Sequence, residues 1–317
     1  MIIAISASFI LTVISGIVLL PVLRRLKIGQ VVRDDGPKDH LKKAGTPTMG
    51  GIIFILPIIG CMLFLGWNNP VVSATCGLIL LSALVGFLDD FLKIRRKNKD
   101  GLKPILKTLF FIVISAAYGI YIVYFSKIGS EIIIPFTDAG KTFVIPGWIY
   151  VIFIVFFYNA VINAVNFTDG VDGLCGSVTA VVFIFFAIAS KIVFDNTDMT
   201  YMSLIVIGAM AGYLIFNIYP AKLLMGDTGS LALGAAVTAI SVNLRIPWII
   251  LFAGIIYVIE ILSSVIQVVH YKRTKRRIFL MAPIHHHFEL KHWSENKIVI
   301  VFSAVTFIGG IIAFLAI

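Results

Sequence analysis

Long apolar runs separated by short polar segments dominate the pattern of this chain. A helix that crosses a membrane needs about 20 apolar residues, with a range of roughly 17–25. The pattern predicts ten such helices, at 1–23, 49–66, 71–88, 108–125, 147–165, 174–192, 200–218, 229–244, 247–268 and 298–317. The eighth is the shortest, and its Gly234, Ala235 and Ala236 favour close contact between helices over exposure to lipid. We therefore predict an all-α, polytopic integral membrane protein that forms one domain over 1–317.

The composition supports this fold class. Of 317 residues, 59% are hydrophobic and 13% are charged, whereas soluble domains average roughly 45–50% apolar and 25% charged residues. This balance excludes a soluble globular protein and a disordered chain. Cys61, Cys76 and Cys175 are odd in number and lack the spacing of metal ligands, so neither a disulfide framework nor a zinc site is expected from them.

Basic residues are distributed very unevenly between alternate loops. One set of loops holds 22 of the 26 Lys and Arg residues, and this set comprises 24–48, 89–107, 166–173, 219–228 and 269–297. Because Lys and Arg concentrate in cytoplasmic loops, this side is predicted to be cytoplasmic and both termini periplasmic. The longer outer loop, 126–146, is predicted to form a β-hairpin from 131–135 and 141–145 around a turn at 138–140.

Two adjacent carboxylates, Asp89 and Asp90, close the third predicted span and precede a basic loop. Such a pair at the membrane surface could hold a divalent cation or act as a general base. The alternative is a solvated helix end. Acidic side chains at a helix C-terminus oppose the macrodipole, so their presence there calls for a reason.

A polar run follows the fifth predicted span. It includes Asn163, Asn166 and two Asp-Gly pairs, Asp169-Gly170 and Asp172-Gly173, and the loop contains no Lys or Arg. Asp-Gly pairs form turns and Asn caps helix ends, which is the structural alternative. That alternative explains one pair better than two, so we predict a binding function for this loop.

The segment Gly226-Asp227-Thr228-Gly229-Ser230 leads into the eighth predicted span. Backbone N–H groups and the positive end of a helix dipole suit a phosphate group. Asp227 is placed to act as a ligand of Mg²⁺ beside it. The alternative is a simple helix N-cap formed by Asp227 or Thr228.

Two further motifs lie in loops on the same side. In the last predicted cytoplasmic loop, His285, His286 and His287 follow a basic cluster. Three consecutive histidines cannot all ligate one ion. Hydrogen bonds from these histidines to phosphates or sugar hydroxyls are therefore favoured over zinc binding. The run 43–51 is rich in Gly and Thr, which permit close approach of a ligand, although a loop-to-helix connection has a similar pattern.

Together, these five groups predict a Mg²⁺-dependent phosphoryl-transfer site on the cytoplasmic loops. A transporter would place its polar residues near the bilayer midplane, and an intramembrane aspartyl protease would bury two Asp residues within facing spans. Asp89 and Asp227 lie at span ends, which disfavours both alternatives.

The motifs resemble those of the phospho-N-acetylmuramoyl-pentapeptide transferases, which belong to the polyprenyl-phosphate N-acetylhexosamine-1-phosphate transferases. The similarity rests on 43–51, the Asp89-Asp90 pair, 163–174, 220–230 and 283–289. It implies a bacterial inner (plasma) membrane enzyme with ten helices that joins UDP-MurNAc-pentapeptide to undecaprenyl phosphate, yielding lipid I and UMP in peptidoglycan synthesis. Transfer of N-acetylglucosamine 1-phosphate is the alternative, disfavoured by the triple-histidine motif. A homodimer is also implied, and no nucleic-acid partner is expected.

Residue roles follow from this resemblance. Asp227 is implied as the Mg²⁺ ligand, Asp89 and Asp90 as the groups that deprotonate or orient the lipid phosphate, and Lys107 as a phosphate-binding cation. His286 is placed among the catalytic residues. The implied substrate-binding residues are Lys43, Thr48, Asn166, Asp169, Gly170, Asp172, Asn217, Leu224, His285 and His287. Direct attack by the lipid phosphate is preferred, while a covalent intermediate stays open.

Two positions stand outside these roles. Where relatives sometimes carry a third acidic residue after the pair, this chain has Lys93. Glu260 lies within the ninth apolar segment, where an ionisable group indicates function by default. A cap at a break in that helix is the alternative for Glu260.

Overall fold

The computed structural model describes residues 1–25, 45–66, 68–96, 101–137 and 141–317. These residues form eleven α-helices: α1 (Ile2–Arg25), α2 (Ile52–Gly66), α3 (Pro70–Arg96), α4 (Pro104–Ile120), α5 (Gly147–Thr168), α6 (Leu174–Ile192), α7 (Thr197–Asn217), α8 (Gly226–Asn243), α9 (Ile255–Thr274), α10 (Ile284–Glu289) and α11 (Glu295–Leu315). A π-helical turn, Tyr121–Phe125, extends α4. The prediction of an all-α polytopic fold is confirmed.

Each predicted span corresponds to a helix, but the helices differ in how they meet lipid. Within the described residues, eight are long and apolar enough to cross a membrane: α1, α3, α4 with its π-helical turn, α5, α6, α7, α9 and α11. Helix α2 is apolar but has only 15 residues. Helix α8 is surrounded by the bundle, since every residue from Thr228 to Asn243 is buried. The predicted close contact at Gly234 is present, because a Cβ there would lie 2.6 Å from Ile162 Cα.

The pairing of α3 with α8 depends on glycine. A Cβ added to Gly86 on α3 would collide with the backbone of Asp227, and one added to Gly51, directly before α2, would collide with the backbone of Gly229. Small residues allow helix backbones to approach closely without a hydrophobic driving force. The start of α8 is therefore held directly against the last turns of α3.

The structure corrects two predicted boundaries. Helix α3 continues to Arg96 rather than stopping at residue 88, so Asp89 and Asp90 lie inside the helix and basic residues occupy its last turn. Those basic residues suit the negative end of the dipole, which removes the conflict posed by acids at a helix end. The ninth segment is broken into a 3-10 turn, Pro247–Leu251, and α9, with Gly254 preceding α9. Apolarity continues across the break, so hydropathy alone does not reveal it.

The predicted hairpin is confirmed. Strand β1 (Glu131–Ile133) pairs antiparallel with β2 (Thr142–Val144). Its turn at 138–140 lies outside the described residues. Arg245 Nη1 contacts Glu131 Oε2 at 2.7 Å, and Trp248 Nε1 donates to the Ile133 carbonyl at 2.6 Å. The hairpin is thereby tied to the chain that follows α8; the side of the membrane on which it lies stays a prediction from the charge count.

Candidate active site

Three carboxylates meet where α3 and α8 come together. Asp89 and Asp90 come from α3 and Asp227 from the first turn of α8. One oxygen of each lies within 4.8 Å of the others, a spacing suited to a metal ion. The two motifs are separated by 137 positions in sequence, and the glycine contact between their helices brings them together.

Two lysines form salt bridges with this cluster. Lys107 Nζ donates to Asp227 Oδ2 at 2.6 Å. Lys93 Nζ lies 2.5 Å from Asp89 Oδ2 and 3.1 Å from Asp227 Oδ2, between the two carboxylates. Lys93 was not among the predicted site residues. Its position four residues after Asp89 would have been the signal, but the helix was predicted to end before it.

Asp90 has a different environment from Asp89. Its Oδ2 accepts hydrogen bonds from the Thr228 backbone N–H at 2.9 Å and from Thr228 Oγ1 at 2.7 Å, and its Oδ1 accepts from the Asp227 N–H at 3.2 Å. These are the unpaired donors of the first turn of α8, so Asp90 caps that helix from its neighbour. The alternative of a cap from Asp227 or Thr228 is wrong, since α8 has no side-chain cap of its own at its N-cap residue.

Asp227 is ionised at neutral pH. Burial alone would raise the pKa of its carboxyl group, but the ammonium groups of Lys107 and Lys93 hold that pKa well below its usual range. Asn166 Nδ2 donates to Asp227 Oδ1 at 3.0 Å and to Ser230 Oγ at 2.8 Å, which fixes the carboxylate from the end of α5.

The donor set suits a hard divalent cation. Hard divalent cations prefer carboxylate oxygens, and the Lys93 ammonium group already marks a position for positive charge between Asp89 and Asp227. Both oxygens of Asp90 are engaged by the start of α8. The Oδ2 atoms of Asp89 and Asp227 instead face lysine ammonium groups, which a metal ion could replace, so these two carboxylates are better placed than Asp90 to hold one.

Several residues predicted to bind substrate hold the neighbouring loops in place. Asn217 Oδ1 accepts from the Gly173 N–H at 3.0 Å, and its Nδ2 donates to the Leu223 carbonyl at 2.9 Å. Asp172 Oδ2 accepts from the Ala221 N–H at 2.9 Å. Both side chains are buried, so their described bonds organise the loop before α8.

Two more predicted residues join this loop to the start of α2. The Leu224 N–H donates to the Pro47 carbonyl at 2.8 Å, and the Leu224 carbonyl accepts from the Gly50 N–H at 2.9 Å. Thr48 is buried beside this contact and close to Gly226. Lys43 lies outside the described residues.

The three histidines lie on α10 and have separate partners. His285 Nδ1 is 3.0 Å from Glu260 Oε2, and His286 Nδ1 is 2.6 Å from Glu289 Oε2. Partial burial and then the Lys291 charge lower the pKa of His287. Its neutral Nδ1 accepts from the Leu280 N–H at 3.1 Å. His285, His286 and Glu289 lie close enough to hold a metal ion, whereas His287 is not part of that group.

His285 also reaches the loop between α5 and α6. Its Nε2 occupies the space that a Cβ on Gly170 would require. Asp169 directly precedes this glycine, and Asn166 lies one helical turn before it. The histidine motif is thus in contact with the loop that directly follows the end of α5, where Asn166 contacts Asp227 of the carboxylate cluster.

An apolar helix bundle with carboxylates and lysines gathered at one end has the features of a membrane-embedded enzyme for charged substrates. Residues 71–245 match the sequence profile of glycosyl transferase family 4, and residues 43–55 match signature 1 of the phospho-N-acetylmuramoyl-pentapeptide-transferases.

Curated relatives cover nearly all of the chain. A phospho-N-acetylmuramoyl-pentapeptide-transferase of Acetivibrio thermocellus is 46% identical over 98% of this chain and 93% of its own length. The Clostridium acetobutylicum transferase of that name is 45% identical, over 98% and 96%. That of Clostridium novyi is 43% identical, over 100% and 96%. The chain belongs to the phospho-N-acetylmuramoyl-pentapeptide-transferase family.

Proposed function

We propose that this protein transfers phospho-N-acetylmuramoyl-pentapeptide from its UDP derivative to undecaprenyl phosphate, forming lipid I and releasing UMP. The observation that carries the proposal is the meeting of Asp89, Asp227, Lys93 and Lys107 at one end of α3 and α8. The family membership supplies the reaction, and this cluster supplies the charges that the reaction needs.

Asp227 and Asp89 are the proposed Mg²⁺ ligands. When bound, the ion would neutralise charge on the diphosphate and so favour displacement at phosphorus. Lys107 and Lys93 are positioned to turn from the carboxylates to the substrate phosphates, because each ammonium group has three donors. Asn166 keeps Asp227 oriented throughout.

The proposed nucleophile is an oxygen of the lipid phosphate, which attacks the β-phosphorus of the UDP-sugar. The new P–O bond forms as the bond from that phosphorus to the bridging oxygen breaks, and UMP departs with the bond's electrons. Asp89 would orient the acceptor phosphate or remove its remaining proton. Asp90 contributes by capping α8 and so fixing Asp227.

The arrangement suits two substrates from different phases. The nucleotide is a soluble anion, and the 22 basic residues of the predicted cytoplasmic loops would raise its local concentration. The acceptor carries a polyprenyl tail that remains in lipid while its phosphate reaches the cluster. We place the protein in the bacterial inner membrane, with the cluster facing the cytoplasm.

A direct test uses purified protein in detergent with undecaprenyl phosphate, Mg²⁺ and each of two UDP-sugars. We expect UMP release with the muramoyl-pentapeptide nucleotide and background release with UDP-N-acetylglucosamine. Chelation should stop the reaction, and added Mg²⁺ should restore it. Folded protein that releases UMP only with UDP-N-acetylglucosamine would favour the alternative activity, and release with neither would overturn the assignment.

A further inference from the structure

Glu260 is a fully buried acid in the middle of an apolar helix. It lies on α9, and its side chain is 0% exposed. Its Oε2 contacts Nδ1 of His285, which lies 25 residues later on α10 and is 1% exposed. A membrane helix rarely retains an ionisable residue without a function.

This pair is incompletely hydrogen-bonded. Within the described residues, Glu260 Oε1 and His285 Nε2 have no hydrogen-bond partner. A buried polar pair with unsatisfied atoms is a poor source of stability, and apolar side chains of similar volume often replace such pairs without loss. We therefore expect the pair to orient the His285 ring rather than to stabilise the fold.

The ring is held between Glu260 and the loop that joins α5 to α6. The unsatisfied Nε2 faces Gly170 so closely that a Cβ there would collide with it. Gly170 does not have a positive backbone φ, so the close approach of the ring is the reason for glycine at this position.

The same loop carries Asp169, Gly170 and Asp172, which the family resemblance implies as substrate-binding residues, and it directly follows the end of α5. Asn166, one turn before Gly170, binds the Asp227 carboxylate. Asp172, two residues after it, accepts from the Ala221 N–H. A shift of the His285 ring would move the turn at 169–170, which lies between these two anchoring residues.

We infer that Glu260 is a positioning residue: by fixing the His285 ring against Gly170, it sets the loop between α5 and α6 in the geometry that binds the nucleotide substrate. The inference rests on the proposed function, because it names what the loop binds. It assigns no role to Glu260 in binding the lipid acceptor.

The first test compares Glu260→Leu and Glu260→Gln. Leucine cannot hold Nδ1, so KM for the muramoyl-pentapeptide nucleotide should rise about tenfold, while KM for undecaprenyl phosphate stays within about twofold. Glutamine can still accept from Nδ1–H through its amide oxygen and should restore most of the affinity. Glu131→Gln is the matched control, since that acid pairs with Arg245 in the hairpin.

The second test perturbs the contact between the His285 ring and Gly170 by changing the loop residue. Gly170→Ala should displace the ring and raise KM for the nucleotide about tenfold, and its combination with Glu260→Leu should add less than the product of the two effects. This variant lies outside the bundle, so it keeps the test available if Glu260→Leu does not fold.

The outcomes separate the two claims. Wild-type protein that releases no UMP with either nucleotide would refute the proposed function itself. Active wild-type protein whose nucleotide KM is unchanged in Glu260→Leu, or in Gly170→Ala, would refute the inference alone. Equal rises in both KM values with a lower unfolding temperature would reduce Glu260 to a structural residue and also refute it.

Discussion

Helices α3 and α8 lie side by side, and the two ends of their contact carry polar groups of opposite character. At one end Asp89, Asp90 and Asp227 meet Lys93 and Lys107. At the other end three uncharged side chains, Thr75, Tyr118 and Asn243, form a small network inside the bundle. One pair of helices thus has a charged end and an uncharged end.

The polar networks at the two ends differ in the kind of interaction that holds them together. At the uncharged end, Asn243 Oδ1 accepts from Tyr118 Oη at 2.9 Å, and Asn243 Nδ2 donates to Thr75 Oγ1 at 3.1 Å. These neutral side chains hydrogen-bond to one another and so link α3, α4 and α8. They carry no charge that could bind an ionic ligand. The charged end holds ammonium groups, each with three donors, that could bind substrate phosphates in place of carboxylates. Polar groups of the first kind stabilise a membrane bundle, and those of the second kind support chemistry.

The largest expected effect comes from Asp227→Asn. Without this carboxylate the proposed Mg²⁺ site loses a ligand, and transfer should fall about a thousandfold or more, since metal ions stabilise such transition states by several kcal/mol. UMP release gives the rate, while elution volume in detergent checks the fold. Near-normal turnover would show that Asp227 is not a metal ligand. The charged end would then not differ in function from the uncharged end.

Lys93→Gln should have the next largest effect. The ammonium group bridges Asp89 and Asp227, so its loss removes a cation intended for substrate phosphate and should lower kcat about a hundredfold. Arg95→Gln is the matched control, because it removes the same charge from an exposed position two residues away on α3. Equal losses in both variants would show that only the general positive potential matters.

The sequence predicted some elements closely because their limits coincide with changes in hydropathy. Helix α6 spans Leu174–Ile192, the predicted bounds, since the Asp172-Gly173 turn directly precedes it and Lys191 marks the end of its apolar run. The end of α3 at Arg96 was missed, because a helix can continue beyond the apolar thickness of a membrane into charged residues. The break before α9 was missed because its residues are as apolar as the span itself.

For the candidate site, motifs identified the loops but not the contacts. Adjacent residues of one motif have different partners: Asp89 forms a salt bridge with Lys93, whereas Asp90 caps α8. That difference depends on the close approach of two helices at Gly86, which no local pattern specifies. The pairing of Glu260 with His285 likewise arises from the packing of α10 against α9, so hydropathy identified an unusual acid but not its partner.

Asn243→Leu probes the uncharged end and should affect stability alone. Interhelical hydrogen bonds in membrane proteins contribute about 0.6 kcal/mol on average and up to about 1.7, so the loss of two such bonds should lower the free energy of unfolding by about 1 kcal/mol. The unfolding temperature in detergent measures this, and UMP release per folded molecule should be unchanged. A folded but inactive variant would show that the uncharged end also serves the reaction.

The smallest expected effect concerns pH, and it compares His287 on α10, which titrates, with the uncharged network around Asn243, which does not. The lowered pKa of His287 means that the folded protein favours the neutral ring. This contribution to stability is present above the unfolded pKa of about 6.5 and is lost as pH falls from there through the folded pKa.

The variant His287→Asn tests this dependence. Its side-chain oxygen can still accept from the Leu280 N–H, but it does not titrate. The difference in unfolding temperature between wild type and this variant should therefore change between pH 7 and 5. The corresponding difference for Asn243→Leu should be constant, because Thr75, Tyr118 and Asn243 do not ionise in that interval; a constant difference for both variants would place the pH dependence elsewhere.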